Sequence, residues 1–296
     1  MKTNGFTEDI VSSIRSQGAD VRTILRNGFT VLDVTGPGGR SSSLIPVSSF
    51  SRTKEEAAEN AARLESLISS MPDRPLVVAR DRWETRRDTI QKRIIAHCGI
   101  FTGIFARNCE ARRIEKPEAK AFLDRYHSYG SASCRYCYGL YISRYSGNLT
   151  GQDQQRFPAG TLVAVAVFSN ARKWAKDGKE IRSYEWIRYA SLPETRVTGG
   201  MGKLLKAFIR DIHPDDIMSY ADLEWSDGSV YTRLGFMPEG KKTPVMFRID
   251  TGTWRRIPAS AGITAELSAG SRDNTGKEEY FMNSGSLKYR LKLTDY

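Results

Sequence analysis

The strongest signal in the hydrophobic pattern is Leu162 to Phe168, LVAVAVF, which is apolar at both parities of a strand and is therefore expected to be covered on both faces. Around it the chain alternates between strand and helix periodicity. Strands are expected at Cys109 to Glu115, Tyr136 to Tyr145, Thr161 to Phe168, Ser183 to Leu192, over DIMSYADL, and from Phe236 to Ile249. Helices are expected from Pro117, at its preferred first-turn position, through Tyr126, from Arg196 to Ile212, and briefly over SVYTRLG. GNLTGQDQQRFPAG is a polar insertion between two strands.

Upstream, Phe6 to Arg26 has helical spacing, FTVLDV (Phe29 to Val34) alternates like a strand, and TGPGGRSSS is a loop. Thr53 to Ser69 reads as a helix capped by Ser51 or Thr53, with Ala57, Ala61, Leu64 and Leu67 inward. A buried strand, Pro75 to Ala79, and a basic helix follow. Pro258 to Glu278, rich in Gly, Ser, Ala and Thr, reads as a mobile connector, and two short strand-like runs flank Asn283-Ser284-Gly285. No internal repeat is present. The pattern predicts an α/β chain: a small basic α/β unit over 1–105, a mixed sheet flanked by helices over 106–250, and an extension with short strands over 251–296.

Composition narrows the class. The 296 residues carry 45 Lys+Arg against 34 Asp+Glu, a formal charge of +11, and are 40% hydrophobic. That excludes an acidic or disordered chain. The longest apolar run is far below the roughly 20 residues of a membrane-spanning helix, and MKTNGFTEDI lacks the apolar region of a secretion signal. A cytoplasmic protein without membrane contact is expected. Much of the positive excess lies between Arg80 and Arg113. There Arg86, Arg87 and Arg93 flank a stripe of Trp83, Ile90, Ile94 and His97, either as a face for nucleic-acid phosphates or as an ordinary solvated face.

The four cysteines form no disulfide framework. Cys134 and Cys137 have the spacing of half a zinc site, but no second pair follows, and strand parity would send the thiols to opposite faces. No metal is expected.

SLPETRVTGGMGKLLKAF runs from strand through proline, arginine and glycines into an amphipathic helix. Free N–H groups and the positive dipole end at such a helix start, approached by glycine backbone, suit a diphosphate. No Lys-Ser/Thr pair is placed as in a P-loop. Other candidates are Asp222, at a strand end, as a base or a turn acid; His127, as a base or a helix C-cap; and Trp225, as a base-stacking or a buried ring.

R-x-x-G-x-x-x-K-L-L after a strand, followed by Y-x-x-x-G-F, resembles the GNAT acyltransferase fold. The resemblance implies acetyl-CoA as cofactor. The cofactor-binding positions would be Leu192, Arg196, Val197, Thr198, Gly199, Gly200, Met201 and Gly202, with backbone amides from Val197 to Gly202 on the diphosphate and Tyr231 as general acid at the sulfur. Met201 stands where the family prefers a second Gly or Ala, and an alignment using Gly200 and Gly202 is the other way to place the loop. More narrowly, ARNCEARRIEKPEAKAFLDRYHSYG, YEWIRYASLPETRVTGGMGKLLKAFIRD, IMSYADLEWSDGSVYTRLGF and NSGSLKYRL together resemble the GNAT-like domain of phage homing-endonuclease-like proteins and, more loosely, Mom-type DNA-modifying proteins. PLVVARDRWETRRDTIQKRIIAHCG resembles the end of a very-short-patch-repair-like nuclease. Such a nuclease implies an acid on the FTVLDV strand and another on the next. Asp33 is present, but SSSLIPVSSF has none, which makes the unit a nuclease-like remnant.

Two functions follow as expectations. One is an acyl-CoA-dependent N-acyltransferase acting on a nucleic-acid-associated amine or nucleobase, with Tyr231, Asp222 and His127 as catalytic candidates and acyl-CoA and DNA as partners. The other is a non-catalytic DNA-binding protein of a phage or mobile element, or Mom-like base modification with a donor other than CoA; Met201, which crowds the cradle, is the feature that divides them.

Overall fold

The structure is a computed structural model and describes residues 5–145, 150–260 and 278–296. The fold is mixed α/β. The chain forms two compact units, each built from separated segments rather than one consecutive stretch. The first combines Met1–Gly99, Ala221–Gly228 and Lys241–Leu287, and the second combines Ile100–Tyr220, Ser229–Gly240 and Lys288–Tyr296.

The first unit begins with α1 (Gly5–Arg15), β1 (Asp20–Arg26), β2 (Phe29–Thr35), β3 (Ser41–Val47), α2 (Lys54–Ser69), β4 (Leu76–Ala79) and α3 (Arg80–His97). Its sheet has the order β1-β2-β3-β4, antiparallel except for the parallel β3–β4 pair. The helical spacing from Phe6 to Arg26 therefore holds only to Arg15. Asp20 to Arg26 instead pairs residue for residue with β2 across a turn at Asn27 and Gly28, both at positive φ, so cross-strand pairing overrides local periodicity. Thr53 caps α2 through its Oγ1, which accepts from the Glu56 N–H at 3.1 Å. Ala57, Leu64 and Leu67 of α2 are buried, Leu64 and Leu67 joining Ile68 over Val31, Ile45 and Val77. Ala61 is only half-buried.

In the second unit lie β5 (Thr102–Phe105), β6 (Cys109–Arg113), α4 (Lys116–Tyr126), β7 (Tyr136–Ile142), α5 (Gly151–Arg156), β8 (Leu162–Phe168), β9 (Arg172–Lys176), β10 (Lys179–Ser191), β11 (Thr195–Thr198), α6 (Gly200–Ile212), β12 (Asp216–Asp222) and α7 (Ser229–Arg233). Then follow β13 (Met237–Lys242), β14 (Met246–Asp250), β15 (Arg255–Pro258), β16 (Glu278–Met282) and β17 (Ser286–Lys292). An eight-stranded sheet runs β13-β17-β12-β10-β8-β7-β6, with β9 on β10. β8 is interior, and Val163 to Phe168 are fully buried, so both sheet faces are covered, as its apolar run predicts. Phe208 of α6 stacks on Phe168 with ring centroids 3.8 Å apart.

The expected strand from Phe236 to Ile249 is two strands, β13 in the large sheet and β14 in a separate sheet of order β15-β14-β16. Pro244, which has no N–H for a ladder, lies between them. The runs around Asn283 likewise join different sheets, β16 with β14 and β17 with β12 and β13. Most of the expected connector, residues 261–277, lies outside the described residues.

Candidate functional site

Strands β10 and β12 run parallel but pair only over Ser183–Glu185 against Asp216–Met218. Beyond that β10 continues along β8 to Ser191, while β12 continues to Asp222. The two central strands thus separate after Glu185, well before Leu192. The β10–β8 register shifts between Trp186 and Arg188, a bulge at Ile187. Across the opening, Ser219 Oγ of β12 donates to the Trp186 carbonyl at 2.9 Å and lies 3.0 Å from the Tyr231 hydroxyl.

Tyr231 sits on α7, its ring stacked on Tyr289 at 5.2 Å and edge-on to Trp186 and Phe236. Tyr231 is half-buried. Burial raises its pKa, and the Ser219 hydrogen bond only partly offsets that rise. Tyr231 therefore stays protonated at neutral pH.

The glycine loop is more ordered than its composition implies. The Leu192 amide donates to Val163 O at 3.0 Å, and the Leu192 carbonyl accepts from Thr195 N and Oγ1. Thr195 to Thr198 form β11, a parallel pair with β5, a strand that neither composition nor periodicity signals. Arg196 is exposed, with its guanidinium 5.4 Å from the centroid of Phe101. Gly199 caps α6 at φ +79, a conformation that favours glycine. A Cβ on Gly200 would lie 2.9 Å from Val197 Cγ1 and 3.0 Å from the Tyr189 hydroxyl, so the helix start packs directly on β10. A Cβ on Gly202 would approach Leu234 Cδ2 at 3.2 Å. Lys203 Nζ donates to the carbonyls of Ala106 and Cys109, pinning the first turn to the segment before β6. Since Leu192 is engaged and Val197 and Thr198 lie in a ladder, the amides without helical partners begin at the first turn, at Gly200, Met201 and Gly202. A helix start with no acidic residue in its first turn suits a diphosphate.

Asp222 closes β12 and shapes the turn that follows. Its Oδ1 accepts from the Glu224 N–H at 3.0 Å, its carbonyl accepts from Trp225 and Ser226, and its Oδ2 is buried with no hydrogen-bond partner. His127 is the C-cap of α4, its N–H bonded to Leu123 O and its Nδ1 accepting from Tyr129 N at 3.1 Å. Trp225 is buried, with the Arg93 guanidinium 5.6 Å from its ring centroid. The turn, C-cap and burial readings thus describe these three local environments. The Cys134 and Cys137 thiols are 3.5 Å apart and face each other, because Cys134 precedes β7 and strand parity does not apply.

In the first unit, Asp33 and Ser43 are register partners on β2 and β3. Ser43 occupies the place beside Asp33 where a second carboxylate would have to lie. Arg86 sits at a kink in α3, with φ −144 and ψ 38. Arg87 forms an ion pair with Asp9 at 2.8 Å.

Trp186, Arg188 and Ser219 are site features that reading by periodicity missed. A bulge leaves no composition signal, and Ser219 reads as one polar position of an alternating strand.

The chain matches no protein-family model and no curated protein sequence. Among solved structures it is similar to an acetyltransferase of the GNAT family from Bacillus anthracis, with 12% identity and a TM-score of 0.31, over 62% of this chain and 95% of that one. It is also similar to the ribosomal-protein-S5-alanine acetyltransferase of Vibrio fischeri, with 10% identity and a TM-score of 0.35, over 64% and 95% of the two chains.

Proposed function

We propose that the protein is an acyl-CoA-dependent N-acyltransferase with a GNAT-like core, acting on an amine. The observation that carries this reading is the separation of β10 from β12 after three paired residues. The start of α6 packs against Tyr189 of one diverging strand, and the Tyr231 hydroxyl lies against Ser219 of the other. Gly200, Met201 and Gly202 would hold the diphosphate with their amides, and Arg196 would add charge. When bound, acyl-CoA supplies a thioester carbonyl for attack by the acceptor nitrogen. Tyr231 would be the proton donor to the leaving thiolate, and Asp222 or His127, directly or through water, would accept the proton of the amine. The acceptor we favour is a nucleic-acid-associated amine, because the charge of +11 suits a polyanionic partner.

A second reading, a DNA-binding protein that keeps the fold without CoA or a Mom-like modifier with another donor, is favoured by one observation. Packing alone accounts for Gly200 and Gly202. Thermal unfolding with CoA and acetyl-CoA separates the two. Ligand at about 100 times its Kd stabilises by roughly 2.7 kcal/mol; no shift at millimolar concentration favours the second reading.

A further inference from the structure

The bulge of β10 places a guanidinium in an unusual setting. Arg188 Nη1 donates to the Ile187 carbonyl at 2.9 Å, but its Nε is buried and has no hydrogen-bond partner. Among the described residues no carboxylate lies within ion-pair distance of it, and Glu185 acts on it only through the longer-range field. The guanidinium lies 5.7 Å from the ring centroid of Tyr129, in the turn after α4, which is 41% exposed and therefore open to solvent. Tyr129 in turn donates its N–H to His127 Nδ1. On the other side of the bulge, the Trp186 indole N–H donates to the Arg188 carbonyl at 3.1 Å, and the same indole meets the Tyr231 ring at 6.3 Å. One tryptophan thus joins the arginine to the proposed proton donor.

A buried, charged N–H without an acceptor is more costly to leave unmet than a neutral one. Burial also pushes the Arg188 pKa down. Arginine has only donors, in a planar fork that matches carboxylate and phosphate oxygens. A partner that relieves this site must therefore bring acceptor oxygens and negative charge. Cation–π contact with Tyr129 orients the guanidinium without neutralising it.

We propose that Arg188, oriented by Tyr129, selects acceptors carrying an anionic group, carboxylate or phosphate, close to the reacting amine. This inference rests on the acyl-transfer reading and deepens it by naming the acceptor chemistry. A phosphate beside the amine is what a nucleotide supplies, and a carboxylate is what an amino acid supplies.

The test uses matched amines, glycine against glycinamide for the carboxylate and O-phosphoethanolamine against 2-methoxyethylamine for the phosphate. Binding is measured by calorimetry, and transfer by thiol release from acetyl-CoA. Wild type should prefer at least one anionic member by roughly 10-fold or more in Kd and in kcat/KM, mainly through KM, the size of a charge-assisted hydrogen bond. In Arg188→Gln that ratio should fall to within about twofold, and in Arg188→Lys, which keeps charge but loses the fork, to an intermediate value. The thermal midpoint of Arg188→Gln should stay close to wild type, because a half-buried group whose Nε has no acceptor is replaced by a neutral one. A wild type indifferent to both anions, or a preference that survives in Arg188→Gln, overturns the inference. Calorimetry with CoA alone separates the two failures. If CoA binds and the anions are not distinguished, only the Arg188 inference falls; if CoA does not bind, the acyl-transfer reading falls and takes the acceptor role with it.

Discussion

Ser43 Oγ donates to Asp33 Oδ1 at 2.9 Å across the β2–β3 pair. The register makes the two residues direct partners, so any second metal-holding carboxylate on β3 would occupy the Ser43 position. Phosphodiester cleavage with a divalent cation needs such clustered carboxylates. Wild type should therefore give no Asp33-dependent nicking of plasmid in magnesium. Ser43→Asp should set two carboxylates against each other and lower stability by about 1–3 kcal/mol, and millimolar Mn²⁺ or Mg²⁺ should restore the loss. A variant that unfolds with wild type and ignores both ions would refute this geometry.

Alkaline stability follows from the buried thiols. Burial pushes Cys98 and Cys109 up to about 11 and Cys137 up to about 12. In the unfolded chain they ionise near 8.5. Each folded pKa is raised, so the stabilisation is fully present below the unfolded value and is lost as pH climbs toward the folded one. The loss is up to about 1.4 kcal/mol per pH unit for each group. Denaturant midpoints should be level between about pH 6 and 8 and fall from roughly pH 9 upward, less steeply in Cys98→Ala. A level profile through that range would contradict the burial of the thiols.

Much of this arrangement is legible in the sequence because it is local. The apolar run at Leu162, the Thr53 cap, Pro117 at a helix start and the order of strand, glycine loop and helix are contained in short windows, and the structure has them. What periodicity misreads depends on distant pairing. Asp20 to Arg26 has helical spacing but a hairpin partner, and Thr195 to Thr198 looks like loop until β5 lies alongside. The division of β13 from β14, and the bulge that turns Arg188 toward Tyr129, are likewise tertiary facts. The acidic partner missing beside Asp33 is the one long-range feature that the sequence reveals directly, because the strand SSSLIPV contains no acid.

The basic helix is more heavily paired than its charge count suggests. Asp9 partly neutralises Arg87 at 2.8 Å, and the Arg93 guanidinium lies over Trp225. DNA binding through this helix should be weak, without sequence preference, and steeply salt-dependent, with a slope near 0.9 per phosphate contact. Replacing Arg86, Arg87 and Arg93 with Glu should weaken it uniformly across sequences. Asp9→Asn should strengthen it by releasing Arg87. Fluorescence anisotropy over a salt series measures both, and an Asp9→Asn affinity equal to wild type would show that the helix is only a solvated face.

The cradle and the proton donor can be separated by two substitutions that spare the fold. Met201 is half-buried at the second position of α6, and a carboxylate in a first helical turn interacts favourably with the dipole, by about 0.3–1 kcal/mol. Met201→Glu should therefore leave the thermal midpoint equal or slightly higher while abolishing CoA binding, since it sets negative charge where the diphosphate is held. Gly199 is a poorer probe, because any side chain at φ +79 strains the backbone whether or not a ligand binds there. Tyr231→Phe keeps the stacking on Tyr289 and removes only the hydroxyl beside Ser219. Binding of CoA should persist, and transfer should slow by about 100-fold, the lower end for loss of a positioned general acid. Calorimetry with CoA and single-turnover thiol release read the two effects independently. If Met201→Glu binds CoA like wild type, the diphosphate is not at the start of α6; if Tyr231→Phe transfers at the wild-type rate, the sulfur takes its proton from elsewhere, and His127 and Asp222 become the side chains to replace.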